Sequence, residues 1–189
     1  VKQNFDIPVS LDTYKSAVAR AGAAAGVDFI NDIWGLKYDD KIADVISEYK
    51  LPCCLMHNRN EAKYSNFMED VINDLKESVA IAHKVGIEDE RIVLDPGVGF
   101  GKTYENNLEI IKRLGELKQL GYPLLLGCSR KSVIGLTLNL PVEERLSGTI
   151  VTTVFGVMSG CGFVRVHDIK ENVRAVRMAE AIMEAGNGR

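Results

Sequence analysis

Six short apolar runs, each ending in polar residues and each followed by an amphipathic, charge-rich stretch, constrain this chain more than any other feature. The runs are IPVSLDT (7–13), VDFINDI (27–33), PCCLMH (52–57), RIVLDPG (91–97), PLLLGCS (123–129) and FVRVHD (163–168). Helical patterns fill the gaps near 14–25, 40–50, 66–86, 105–120, 142–159 and 169–185. Within 105–120, Leu108, Ile111, Leu114 and Leu117 recur at three-residue steps, which predicts a stripe facing the core. Strands alternating with helices imply βαβ units and a parallel sheet. Right-handed crossovers then bring every strand's C-terminal end to one edge. No linker, low-complexity tract or composition shift interrupts the rhythm, so residues 1–189 are expected to form a single domain.

Composition narrows the partners. At 189 residues, 46% hydrophobic and 26% charged, the chain has the make-up of a soluble globular domain with a real core. A net charge of −3 argues against nucleic-acid or membrane binding driven by bulk charge. There is no apolar run long enough to span a bilayer and no apolar leader, and the absent initiator Met suggests cleavage or a fragment. The four cysteines, Cys53, Cys54, Cys128 and Cys161, form no CxxC pair and read as buried reduced thiols in a cytoplasmic protein. The three histidines are scattered, so no metal site is expected from side chains alone.

The polar residues sit where function is expected. Asp12, Asn31, His57, Asp95, Lys131 and His167 each lie at or just past the end of a different strand. In α/β sheets and barrels that edge binds ligands. Single polar ends could be helix caps: Asp12 with Thr13 before a helix near Tyr14, and Asp168 before the last helix. Six together point to a common site. In FVRVHD, alternation sends Arg165 and His167 to the same side, a pairing suited to an anion. The competing reading pairs Arg165 with Asp168. DPGVGFGKT resembles a phosphate loop but is not one, because Pro96 and Lys102 stand where the two glycine-rich patterns need Gly. It reads instead as a turn whose glycines allow close approach of backbone to ligand. Phe100 within it is either a mobile ring or packed on the next helix. His57 is a candidate for either a structural or a functional role. His83 is expected at the surface and Trp34 in packing.

DPGVGFGK (95–102) followed by SRKS (129–132) carries a resemblance to the dihydropteroate synthase family of folate biosynthesis. SLDTYK (10–15), FINDIWG (29–35), LMHNR (55–59), LDPGVGFGKT (94–103), LLLGCSRKSVIG (124–135), RLSGT (145–149) and VRVHD (164–168) match it in the family's order. The resemblance implies a parallel (β/α)8 TIM barrel, represented here by strands three to eight with their helices and incomplete at its N-terminus. It implies a transferase that condenses 6-hydroxymethyl-7,8-dihydropterin diphosphate with p-aminobenzoate, by diphosphate departure and amine attack. The products are 7,8-dihydropteroate and diphosphate, and the family is the target of sulfonamides. By the same resemblance the protein is a cytoplasmic homodimer whose other partners are small molecules. Mg2+ would be held mainly by the substrate diphosphate and by a loop absent from this chain.

Matched positions inherit roles. Asp12, Asn31, Met56, Asp95, Lys131 and Arg165 are implied in pterin binding, with Met56 as a soft wall. Phe100, Arg130, Lys131 and Ser132 are implied in holding p-aminobenzoate, Ser132 at a helix start that suits a carboxylate. Arg130 could otherwise be a merely solvated charge. Arg165 and His167 are implied in diphosphate binding, and Lys131, Arg165 and His167 stand nearest the chemistry. Two alternatives remain open: a pterin-binding fragment without turnover, and a pterin-dependent methyltransferase barrel.

Overall fold

The computed structural model describes residues 1–186. All six expected strands are present: β1 (Ser10–Asp12), β2 (Phe29–Asp32), β3 (Cys53–Met56), β4 (Ile92–Asp95), β5 (Leu125–Leu126) and β6 (Phe163–Val164). They form a four-stranded sheet in the order β1-β2-β3-β4 and a two-stranded sheet β5-β6, and every pairing is parallel. The backbone gathers into two compact units, Val1–Gly97 and a second beginning at Val98.

The first unit owes its core to the apolar runs. β3 is buried along its whole length, as a parallel strand covered on both faces must be. Ile30, Leu55, Ile92 and Leu94 are fully enclosed, together with Ile42 and Ile46 of α2 (Ile42–Glu48). Burial pushes the Cys53 thiol up to about 12, so it stays an inert core group. None of the four cysteines is in a disulfide. Register places Asp12 opposite Asn31 and Met56 opposite Asp95, so polar strand ends become lateral neighbours. α1 (Ser16–Ala24) begins without Asp12: no side chain caps it, and the Thr13 hydroxyl instead accepts the Lys15 N–H at 3.1 Å.

α3 (Phe67–Lys84) turns Met68, Val71, Leu75, Val79 and Ala82 inward, and its acidic first turn and basic last turn oppose the helix dipole. It also delivers Asp74 to the LMHNR segment. The Asp74 carboxylate accepts two hydrogen bonds from Arg59, Nε to Oδ2 at 2.6 Å and Nη2 to Oδ1 at 3.1 Å. His57 Nε2 lies 3.0 Å from the same Oδ2, with the ring fully enclosed. Burial alone would raise the Asp74 pKa, but the hydrogen bonds from His57 and Arg59 outweigh it and hold the carboxyl well below the usual carboxylate range.

In the second unit the helical stretch 105–120 breaks in two. α4 (Tyr104–Lys112) opens with a capping box between Thr103 and Asn106. A 3-10 helix follows over Leu114–Leu120. A three-residue turn suits the three-residue spacing, so Leu114 and Leu117 stay in line and fully buried. The expected stripe fails at its first member: Leu108 is 41% exposed, and Ile110 takes the inward place beside Ile111. The α-helical period of 3.6 rotates position 108 out of a stripe set by the tighter turn. α5 (Ser132–Leu138) is a separate short helix ahead of α6 (Leu146–Met158). α7 (Ile169–Glu184) starts after Asp168, whose side chain does not cap it.

Two outcomes follow from this packing. Leu114→Ala should cost about 2–5 kcal/mol in denaturant unfolding, whereas Leu108→Ala should cost about 1 kcal/mol or less. Because the folded Asp74 pKa lies below its ordinary value of 3.8, its stabilisation is full above that pH and is lost as pH falls through the folded value. The stability gap between wild type and Asp74→Asn, measured by urea melts, should therefore be wide at neutral pH and narrow progressively below about pH 4.

Candidate active site

The first unit contributes the ends of β1 to β4. Asp12 Oδ1 accepts a hydrogen bond from Asn31 Nδ2 at 3.0 Å. That contact orients the amide and leaves its oxygen facing the other way. Asn31 is 4% exposed, and its Oδ1 is buried without a hydrogen-bond partner among the described residues. Buried acceptors of this kind are rare, because leaving one unpaired costs about 1–3 kcal/mol. Asp95 closes β4 in front of Pro96, which favours extended backbone at this point. Its Oδ1 accepts the Gly97 N–H at 2.7 Å, and its carbonyl accepts the His57 N–H at 2.9 Å. The carboxylate is thereby held in one orientation at a buried strand end. Met56, the register partner of Asp95, is buried beside it.

Asp32 is the acid that sequence reasoning passed over in this unit. It is fully buried and accepts the N–H groups of Trp34 at 2.9 Å and Leu36 at 2.8 Å. Burial pushes its pKa up, against the pull of those two N–H donors. Its work is to pin the turn after β2, where Leu36 takes a left-handed φ of 68°. An acid two residues ahead of Trp34-Gly35 at a strand end was the available signal. Trp34 stacks at a tilt on Tyr38, in keeping with packing. His57 turns its ring nitrogen to Asp74, which favours the structural role, and His83 lies at the surface beside Asp89.

The second unit contributes the glycine turn, the SRKS segment and the end of β6. Asn107 organises the glycine turn: its Oδ1 accepts the Gly99 N–H at 2.6 Å and its Nδ2 donates to the Thr103 carbonyl at 2.7 Å. Gly99 has φ 85°, and a Cβ there would sit 3.2 Å from Lys131 Cδ. Glycine is therefore favoured by conformation, and the lysine side chain passes close against it. Lys131 Nζ donates to the Val98 carbonyl and lies 4.7 Å from the centre of the half-buried Phe100 ring. A cation over a ring face is a recognised attraction. It brings Phe100 and Lys131 to one place.

SRKS is shaped by an unusual backbone. Arg130 has φ 56°, a conformation that non-glycine residues seldom adopt. Its N–H donates to Thr149 Oγ1 at 3.1 Å, and its carbonyl accepts from Arg145 Nη1 at 3.0 Å. The RLSGT segment thus grips the peptide on both sides. The Arg130 side chain is not simply solvated: Nε and Nη2 meet the two Asp168 oxygens at 3.0 and 2.5 Å. That bidentate pair holds the Asp168 carboxyl below its ordinary value. It also explains why Asp168 caps nothing, and it makes Arg130 a partner of Asp168. Ser132 is exposed as the first residue of α5.

Past the end of β6 the alternation continues. Phe163, Arg165 and His167 are exposed, while Val164, Val166 and Asp168 are more covered. Ser129 meets His167 twice, with Oγ 3.1 Å from the backbone N and 2.9 Å from Nδ1. Ser129, Asn107, Arg145 and Thr149 are the residues that sequence reasoning left without a role. Each acts by holding a neighbour, which no local pattern reveals. Among the described residues no three His, Cys, Asp or Glu side chains gather where they could hold a cation.

The first unit thus presents a fixed carboxylate and an amide whose oxygen has no hydrogen-bond partner among the described residues, two groups that accept hydrogen bonds. The second presents cations and an imidazole, fitted to anions. The model of the family described as "Pterin binding enzyme" matches residues 1–167. The dihydropteroate synthase of Clostridium beijerinckii is 59% identical over 184 residues, 97% of this chain and 68% of that protein. That of Bacillus subtilis is 46% identical over 186 residues, 98% of this chain and 65% of that protein. The crystal structure of the Clostridium difficile dihydropteroate synthase in the presence of pteroic acid aligns with a TM-score of 0.94 at 50% identity, covering 96% of this chain and 69% of that one. A Yersinia pestis dihydropteroate synthase in a sulfonamide drug complex aligns with a TM-score of 0.94 at 35% identity, covering 98% and 70%. The α/β fold with parallel strands is that of these TIM-barrel enzymes. The chain spans about two thirds of the length of the relatives it matches, and it belongs to the dihydropteroate synthase family of pterin-binding enzymes.

Proposed function

We propose that this chain serves the condensation of 6-hydroxymethyl-7,8-dihydropterin diphosphate with p-aminobenzoate, releasing diphosphate. The bond from the pterin methylene carbon to the diphosphate oxygen breaks first, leaving a cation stabilised by the ring. The aromatic amine then attacks that carbon, forms the new C–N bond and loses its proton to water. The site needs orientation and charge complementarity more than a strong base.

In the first unit, Asp95 and Asn31 read the pterin edge, Asp12 orients the Asn31 amide, and Met56 forms an apolar wall. In the second, Arg165 and His167 take the diphosphate, with the planar guanidinium of Arg165 also suited to stacking on the ring. Lys131 contacts the pterin and, with Phe100, Arg130 and Ser132, holds the carboxylated ring. The Arg130 guanidinium is committed to Asp168, so its share falls to the side-chain stem. The observation that carries the reading is the buried bare Oδ1 of Asn31, held by Asp12. It is an acceptor in want of a donor, and the amino and ring N–H groups of a pterin supply one.

Mg2+ belongs to the same proposal, carried by the diphosphate oxygens of the substrate. So do a cytoplasmic location, which the cysteine thiols favour, and a homodimer. No helix among the described residues is long and apolar enough to cross a membrane. The homodimer reading rests on an apolar groove of about 510 Å³ between α4, α5 and α6, lined by Leu108, Val133, Val151 and Phe155. Val151 and Phe155 stay exposed there, as do Leu136 and Met158 on the same two helices, α5 and α6. Exposed apolar surface of this kind marks interfaces.

Calorimetric titration with the pterin diphosphate tests the reading. Wild type should bind it, and Asp95→Ala should abolish binding. Arg165→Ala and His167→Ala should weaken binding of the diphosphate ester by about 1.5–3 kcal/mol each while changing free pterin binding far less. Equal loss for ester and free pterin would sink the diphosphate assignment. In sedimentation, Phe155→Glu should shift the chain toward monomer; an unchanged profile would remove the groove from the dimer reading.

A further inference from the structure

His167 is assigned to the anion, but an imidazole serves an anion only if the nitrogen that faces it carries a proton. In the neutral ring one nitrogen donates and the other accepts, and the partner of one decides the role of the other. The partner on the inner side is Ser129. Its Oγ lies 3.1 Å from the His167 backbone nitrogen and 2.9 Å from Nδ1. Ser129 is 8% exposed, so the hydroxyl side of this contact is buried while the His167 ring reaches the surface.

A serine hydroxyl has one hydrogen and two lone pairs. The backbone N–H of His167 can only donate, so it occupies a lone pair of Oγ. The hydroxyl hydrogen then needs an acceptor, and among the described residues Nδ1 is the acceptor it meets. If Nδ1 carried the proton instead, Oγ would accept twice and its own hydrogen would be stranded in a buried place. That arrangement wastes a donor and costs more than the first.

We propose that Ser129 is a positioning residue which donates its hydroxyl hydrogen to Nδ1 of His167, and so fixes the tautomer with Nε2–H turned outward as the donor to the leaving diphosphate. The same oxygen ties down the His167 peptide, so ring and backbone are oriented by one atom. Ser129 touches neither substrate in this scheme. The proposal rests on the diphosphate role given above to His167. The backbone clamp on Arg130, from Thr149 and Arg145, holds the residue next to Ser129. It therefore bears on where the hydroxyl stands.

The test joins a spectroscopic and a binding measurement on the whole chain. Nitrogen-15 NMR of the His167 imidazole, at a pH where the ring is neutral, reads the tautomer in wild type, Ser129→Ala and Ser129→Thr. Titration with inorganic diphosphate reads affinity in the same three proteins and in His167→Ala. Wild type should show Nε2–H alone. Ser129→Ala should show a mixture with Nδ1–H and bind diphosphate roughly two- to tenfold more weakly, a smaller loss than in His167→Ala. Ser129→Thr, which keeps the hydroxyl, should restore both. An Nδ1–H tautomer in wild type, or an unchanged tautomer in Ser129→Ala, would overturn the proposal. A tautomer shift in Ser129→Ala with undiminished diphosphate affinity in His167→Ala would uphold the Ser129 contact and overturn the anion role of His167.

Discussion

Two hydrogen bonds to the backbone of one residue shape the SRKS turn of the second unit. Arg130 stands in the left-handed region, where a non-glycine residue costs about 1–3 kcal/mol unless its surroundings hold it there. Thr149 accepts from its N–H and Arg145 donates to its carbonyl, while the side chain locks onto Asp168. The flanking residues inherit their directions from that bend. Ser129 is left against His167 on one side, and Lys131 is left over Phe100 on the other. α6 contributes Thr149 from its first turns, and Arg145 immediately precedes it. The segment before α7 contributes Asp168. The helices after these strands are thus scaffolding for the SRKS turn as well as packing layers.

Most of the architecture was legible from residue pattern. Apolar runs of six or seven residues separated by helical periodicity predict parallel strands, and all six occur where the runs lie. The strands are shorter than the runs, yet Asp12, Asn31 and Asp95 stay in the ladder at the polar ends. The stripe from Leu108 to Leu117 was only partly right. A period of three was read as an α-helical face, when it belonged to a 3-10 turn that starts after position 112. A pattern of apolar spacing cannot say where a helix changes its pitch.

The site was legible by chemistry and less so by partnership. Asp12, Asn31 and Asp95 were marked as polar strand ends, and register sets Asp12 beside Asn31. What alternation alone could not supply was which charge meets which. Asp168 was weighed as a cap or as a partner of Arg165, yet the bend at Arg130 brings a different guanidinium to it. Asn107, Ser129, Arg145 and Thr149 escaped for the same reason: each is an ordinary polar residue until the chain is folded around its neighbour.

The bare Oδ1 of Asn31 has a consequence for which molecules can be mistaken for the ligand. Asp12 occupies the amide's donor side, so the amide cannot swing round to offer N–H in place of oxygen without losing that bond. A visitor that brings a donor removes an unsatisfied group and tightens the whole strand edge. One that brings a carbonyl or ether oxygen sets lone pair against lone pair in a dry place, where neither can turn to water. On the proposed reading the unpaired oxygen would also act as a means of refusal. On that reading, near-copies of the heterocycle that exchange N–H for oxygen would be disfavoured by electrostatics even when their shape fits.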